Sequence, residues 1–173
     1  MLLPLKRPPM GISPIGWLHT LGSLPAIPLA AYMLVKHGRI VPESRAGRAY
    51  FWFMLLGVLT VYPIAHQPIS SIIATITLVV LLVGYGISRW SAARRFGKYI
   101  ETVSLSLSVF FLMIPTVSET LRRLPVGKPL VTDLKDPLLL GVQGALFLAL
   151  IVGVPLQMRA LRRRKSVQAK AGR

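Results

Sequence analysis

Forty consecutive residues without a charged side chain decide the fold of this chain: Ala49 to Ser88 read AYFWFMLLGVLTVYPIAHQPISSIIATITLVVLLVGYGIS. An α-helix rises about 1.5 Å per residue, so this stretch would measure roughly 60 Å, enough to cross a bilayer core of about 30 Å twice. Pro63 and Pro68 flank the polar pair His66 and Gln67, and proline favours helix ends. The stretch therefore predicts two antiparallel membrane-spanning helices joined by a tight turn.

Three further uncharged stretches are long enough to span a bilayer. The sequence thus predicts an all-α integral membrane helical bundle, a single domain over residues 1–158 followed by a basic tail at 159–173. No connection is long enough to fold a separate catalytic domain, so an enzyme is the less favoured class. The five expected spans lie near 15–35, 49–66, 68–88, 102–118 and 137–158.

The distribution of basic residues predicts the orientation of these spans. Fifteen of the 21 Lys and Arg residues lie in the 36–48 loop, the 89–98 loop and the 159–173 tail, which five spans place on one side. Six lie on the other side. The positive-inside rule then puts the N-terminus outside and the C-terminus inside, in the inner (cytoplasmic) membrane of a bacterium.

Composition excludes several classes of function. The chain has no cysteine, which excludes thiolate metal sites, iron–sulfur clusters, disulfides and covalent c-type haem attachment. The net charge of +16 would suggest nucleic acid in a soluble protein. Here the positive charges lie at span ends, where they set orientation and meet anionic lipid, above all at the basic tail. No basic groove interleaved with aromatic residues is present, so nucleic acid is not an expected partner.

Two histidines are expected at equal depth on neighbouring spans. His19 lies seventeen residues before Lys36, and His66 lies eighteen after Arg48, so both rings should sit roughly 25 Å from the inner boundary. Two imidazoles at one level are what axial ligation of haem b, or part of a metal site, requires. The sequence therefore makes His19 and His66 candidate ligands of haem iron.

Plainer interpretations of the polar residues stay open. The two histidines can instead hydrogen-bond to water, headgroups or backbone carbonyls near the interface, or act in a proton relay. A polar stripe of Glu101, Ser104 and Ser108 can be a pathway, although serines more often bridge helices and Glu101 can pair with Lys98. Glu119 could approach the depth of His19 and His66. Arg122 and Arg123, three and four residues further along the same helix, are the more favourable partners of Glu119.

Small residues recur every fourth position in the last expected span. Lipid offers no hydrophobic drive between helices, so close van der Waals approach at small residues is what holds them together. This pattern predicts tight packing against a span of this chain or of another protein. The packing residues are Gly141, Ala145, Ala149 and Gly153.

One resemblance rests on two short motifs. Residues 18–22 (LHTLG) open the first span and residues 47–50 (GRAY) follow a basic loop, with a hairpin of spans and a second basic loop after them. Over residues 15–115 this resembles an uncharacterised family of small bacterial multi-pass membrane proteins of unknown function. The family pattern has His-Arg where this chain has Ser44-Arg45, and a His near Lys98. The resemblance implies a multi-pass fold and no established activity.

The sequence leaves three functions open. The most specific is a haem b electron-transfer subunit with His19 and His66 as axial ligands. The alternative is a non-catalytic accessory subunit whose small residues pack against other membrane subunits. A small-solute permease is less favoured, since five unrepeated spans lack the internal symmetry of many transporters.

Overall fold

The computed structural model describes residues 14–65, 67–87, 96–125 and 128–171, and side chains as far as residue 163. The architecture is all-helical, as predicted. Its helices are α1 (Pro14–Ser23), α2 (Ala26–His37), α3 (Arg45–Val61), α4 (Pro68–Gly86), α5 (Gly97–Arg123) and α6 (Pro137–Ala171).

The first expected span is broken into α1 and α2. Leu24 and Pro25 form a turn between them, and the Ile27 amide bonds to the Leu24 carbonyl in a tighter, three-residue register. Pro25 and Pro28 lack the N–H groups that an uninterrupted α-helix would need there. The two helices together still run from Pro14 to His37 as one apolar segment long enough to cross a membrane.

Within the described residues, four segments are long and apolar enough to span a bilayer: Pro14–His37, Pro68–Gly86, Gly97–Arg123 and Pro137–Arg163. The helix α3 has 17 residues, at the lower limit for a span. It begins four residues earlier than the expected span at 49–66 and ends five residues earlier. Pro63 accounts for the early end, because it cannot donate a helical hydrogen bond and restricts Tyr62.

Contacts between the helices show that successive segments run antiparallel. The His19 side chain meets Gly57 and Thr60 near the end of α3, and Met33 in α2 meets Ser44 just before α3 begins. Tyr85 late in α4 bonds to Gly47 early in α3. We call the end formed by the last turn of α2, residues 38–44 and the first turns of α3 and α5 the basic end.

The buried core lies where α2, α3, α4 and α5 meet, towards the basic end. Its members are Ala26, Ala30, Met33, Ile40, Tyr50, Met54, Leu81 and Leu105. Among the described residues, Tyr50 is the largest fully buried side chain. The core is small for a chain of this length, as expected when much of the apolar surface faces lipid.

The last helix, α6, is attached to the bundle chiefly through α5. Gln157 of α6 accepts a hydrogen bond from Ser106 at 2.9 Å, and Gln143 donates one to Ser118 at 3.1 Å. These bonds fix which face of α6 meets α5. The helix continues to Ala171 rather than ending near Met158, so the expected basic tail is helical over residues 159–171.

Candidate functional site

A cluster of four charged side chains at the basic end is the most distinctive polar feature of the fold. The Glu101 side chain is fully buried, and its carboxylate accepts from Arg39 at 2.8 Å and from Lys98 at 3.0 Å. Lys98 also donates to Glu43 at 2.9 Å. The four residues, which we call the charge cluster, carry no net charge together.

The charge cluster depends on the loop between α2 and α3. Gly38 ends α2 with φ of 70°, a left-handed conformation that favours glycine, and its N–H bonds to the Leu34 carbonyl. Ser44 begins α3 by accepting from the Gly47 amide at 2.9 Å, while its hydroxyl donates to the Val41 carbonyl at 2.8 Å. These two caps hold Arg39 and Glu43 against the start of α5.

Gly47 allows the loop to press directly on α3. A Cβ at this position would overlap the Val41 carbonyl oxygen and crowd the Pro42 backbone. The Gly47 carbonyl in turn accepts a hydrogen bond from the Tyr85 hydroxyl at 2.5 Å. One glycine therefore lets the loop, α3 and α4 meet at a single point.

The polar stripe of α5 faces the interior of the bundle. Glu101, Ser104 and Ser108 are all buried, and the Ser108 hydroxyl lies 2.9 Å from that of Tyr50. Ser108 also donates to the Leu105 carbonyl at 2.8 Å. Within the described residues, no fully buried side-chain nitrogen or oxygen lacks a hydrogen-bond partner. The stripe joins α5 to α3 and to the charge cluster.

The expected pairing of Glu101 with Lys98 is confirmed, but Arg39 was missed. Arg39 is 62 residues away, and no local spacing connects it to α5. A usable signal was present, since a carboxylate at the edge of a predicted span favours a cationic partner, and Arg39 lies in the loop at the same end. Glu119 pairs with Arg123 at 2.6 Å, as its i+4 spacing predicted.

Glu43 is the acid of the charge cluster that lies outside the spans. Partial burial acts to raise the pKa of this carboxyl. The hydrogen bond and charge of Lys98, with Arg39 nearby, outweigh that effect and hold the pKa of Glu43 below its ordinary value. Glu43 is therefore ionised at neutral pH and keeps Lys98 oriented between two carboxylates.

His19 contacts the neighbouring span directly. Its Nδ1 lies 3.0 Å from the Gly57 carbonyl oxygen and 3.0 Å from the Thr60 hydroxyl. The Thr60 hydroxyl itself donates to the Leu56 and Gly57 carbonyls, so Nδ1 is best assigned as the protonated nitrogen. His66 lies outside the described residues, and the expected pairing of the two rings stays a prediction.

The helices α1 and α3 approach closely beside His19. A Cβ on Gly22 would lie 2.6 Å from the Leu56 side chain, and one on Gly57 would lie 2.8 Å from Cβ of Ser23. Such an approach leaves no space for a porphyrin between these residues. The small residues after His19 accommodate a close helix at this depth.

The small residues of α6 are largely turned away from this chain. Gly141, Ala145 and Ala149 are exposed and Gly153 is half-buried, and a Cβ on Gly141 or Gly153 would meet no atom within 4 Å. The row winds from the face opposite α5 at Gly141 to the edge of the α5 contact at Gly153. The described part of this chain does not pack tightly against these residues, so the predicted packing stays a prediction.

Comparison with protein-family models, with curated proteins and with solved structures found no match to this chain. The class of protein follows from the fold and its polar groups. Four apolar membrane-length segments that pack antiparallel, with a buried carboxylate compensated by two cations, make this a multi-pass helical membrane protein. Its function is interpreted from its own geometry.

Proposed function

We propose that this protein is a non-catalytic accessory subunit of a larger membrane complex, with α6 as the helix that meets the partner. The observation that carries the proposal is the packing of α6. In the most apolar 18-residue stretch of α6, only 6% of the residues are buried in the bundle. In the corresponding stretch of α5, 33% are buried. The helix is nevertheless fixed in rotation by Gln143 and Gln157.

The fixed rotation presents small residues outward. Gly141 and Ala145 lie on the side of α6 that α5 does not cover, and small side chains there let a partner backbone come close. A lipid acyl chain makes fewer van der Waals contacts with a surface of small residues than with one of leucine or phenylalanine side chains. A spanning helix of another subunit could make direct backbone contact along about one turn, from Gly141 to Ala145.

Site-directed cross-linking in native membranes tests this proposal, because the chain contains no cysteine of its own. Ala145→Cys carrying a photoactivatable thiol reagent should give one discrete adduct with a different membrane protein. Gly144→Cys is the matched control, since Gly144 is exposed on the same helix but outside the small-residue row. Ala145→Leu should abolish co-migration with that protein on native gels.

Two results would contradict the proposal. Equal labelling of many proteins from positions 144 and 145 would show that this face meets lipid only. An adduct of twice the mass of the chain would show self-association in place of an accessory role.

A haem b electron carrier is the second candidate, and one contact of His19 favours it. Metal-binding histidines commonly donate their second ring N–H to a backbone carbonyl, and Nδ1 of His19 is placed to do so with Gly57. Its Nε2 would then be available to iron. His19 and His66 would together hold the haem, and the haem would supply one-electron transfer.

Optical spectra of protein from haem-supplied cells test this candidate. Low-spin six-coordinate haem gives a Soret band and narrow reduced α and β bands. These bands should be lost or broadened in His19→Ala and in His66→Ala, and kept in His37→Ala. A colourless protein would reject the haem candidate and leave the accessory role unaffected.

A further inference from the structure

An apolar cleft runs between α5 and α6 on the lipid-facing side of the bundle. Its volume is about 150 Å³. Leu34 of α2 closes one side, and most of the wall is aliphatic or aromatic. The residues that shape it most directly are Phe110 and Met113 on α5, and Ala149 and Gly153 on α6.

The size of the cleft favours a narrow apolar guest. Cavities of about 150 Å³ lined by aliphatic and aromatic residues hold a benzene-sized molecule, roughly six carbon atoms. A helix is about 10 Å across and is far too wide to enter such a space. A segment of one hydrocarbon chain fits it.

One end of the cleft is polar and lies towards the basic end. Ser106 and Gln157 line the cleft there and hydrogen-bond to each other at 2.9 Å. Two and five residues after Gln157 on α6, Arg159 and Arg162 are exposed, and among the described residues neither has an acidic partner. On α2, Lys36 follows two residues after Leu34. The polarity therefore changes from apolar to polar to cationic along one direction.

We infer that this cleft binds one acyl chain of an acidic phospholipid whose phosphate lies among the basic residues at the level of Arg159 and Arg162. The chain lies over Phe110 and Met113, where the absence of side-chain bulk at Ala149 and Gly153 leaves room. The cationic side chains select an anionic headgroup over a zwitterionic one of the same chain length. This site is independent of the outward row at Gly141 and Ala145.

Native mass spectrometry of the full chain tests the inference. The protein is taken from nanodiscs containing phosphatidylcholine and phosphatidylglycerol with identical acyl chains. Unaltered protein should retain one phosphatidylglycerol, in preference to phosphatidylcholine, after detergent exchange. Gly153→Leu fills the cleft and should lower retention at least tenfold. Gly144→Leu adds the same side chain elsewhere on α6 and should not.

The headgroup is tested separately by Arg159→Gln combined with Arg162→Gln. This variant should lose the preference for phosphatidylglycerol by about tenfold and still retain some lipid of either kind. Circular dichroism establishes that the variants fold, and Ala149→Phe provides a second way to fill the cleft. Equal retention by the Gly153→Leu and Gly144→Leu variants, or equal retention of both lipids by the unaltered chain, would overturn the inference.

Discussion

Arg39 and Glu101 are 62 positions apart in the chain and join at 2.8 Å, with the carboxylate fully buried. This ion pair ties the loop after α2 to the first turns of α5. Lys98 and Glu43 extend it to the exterior of the bundle. A buried carboxylate is costly unless cations and hydrogen bonds compensate it, so the position of this loop is coupled to the stability of the bundle.

Removing the charge of Glu101 should be strongly destabilising. Glu101→Gln leaves Arg39 without its carboxylate partner and Lys98 with Glu43 alone. Losing one partner of a buried pair costs about 3–5 kcal/mol. Thermal unfolding in detergent micelles measures the loss. Glu119→Gln is the matched control, because the Glu119–Arg123 pair is exposed and should contribute less than about 1 kcal/mol. Equal losses in the two variants would contradict the assigned role of Glu101.

Gly47→Ala should destabilise the fold although it adds only one methyl group. The new Cβ would overlap the Val41 carbonyl oxygen, and backbone cannot move aside as a side chain can. Gly144→Ala provides the comparison, because its Cβ would meet no atom within 4 Å. That second change should be neutral or stabilising by about 0.5–1 kcal/mol. A Gly47→Ala protein as stable as the Gly144→Ala protein would show that the loop is free to shift.

The buried hydroxyl pair of Tyr50 and Ser108 should behave as one unit. Tyr50→Phe or Ser108→Ala alone leaves a buried hydroxyl short of a partner, at a cost of about 1–2 kcal/mol each. The double variant should cost less than the sum of the two, with a coupling of about 0.5–1.5 kcal/mol. Unfolding of all four proteins gives this coupling directly, and strictly additive losses would mean that the 2.9 Å contact contributes nothing.

The charge cluster also predicts a pH dependence in the acid range. The pKa of Glu43 is lowered in the folded protein, so its contribution is present above the unfolded pKa of about 4.3 and is lost as pH falls through the folded value. Because Glu43 is well exposed, the amount is at most about 0.5 kcal/mol. At pH 6 the melting temperature of the unaltered protein should be higher than that of the Glu43→Gln variant. The difference should vanish near pH 3. A difference that persists at pH 3 would be inconsistent with ionisation as its cause.

Topology remains a prediction from charge asymmetry and can be tested with fusions. A reporter joined after Arg173 should be cytoplasmic, and one inserted in the Gly127 to Asp133 segment should be external. If both report the same side, α6 does not span the membrane, and the outward placement of the N-terminus loses its support.

The helical membrane fold was predictable because long uncharged stretches have few other uses. Helix ends were predicted less well where a proline or a capping residue, rather than hydropathy, determines the end of the helix. Pro63 ends α3 early, while Arg45 and Arg48 join its start because Ser44 caps the helix there. Charge alone had placed that boundary at Ala49.

The charge cluster was only half predictable for a different reason. Lys98 and Glu101 lie one turn apart, so spacing connects them, whereas the contact of Arg39 with Glu101 depends on how α2 and α5 converge. The depth argument predicted a level for His19, which stays a prediction, and did not identify the residues that His19 contacts. Gly57 and Thr60 contact it because α1 and α3 pack through small residues.

The two glutamines of α6 have a consequence for how this helix can change over evolutionary time. Gln143 and Gln157 lie about 21 Å apart along the axis and bond to Ser118 and Ser106. Exchanging one aliphatic side chain for another on a lipid-facing surface alters little, so such positions can drift freely. The amide–hydroxyl pairs cannot, since losing the serine of either pair would leave the glutamine amide without that partner in an apolar region. In distant homologues, Gln143 should vary together with Ser118, and Gln157 with Ser106, while the leucines between them interchange with isoleucine, valine and phenylalanine.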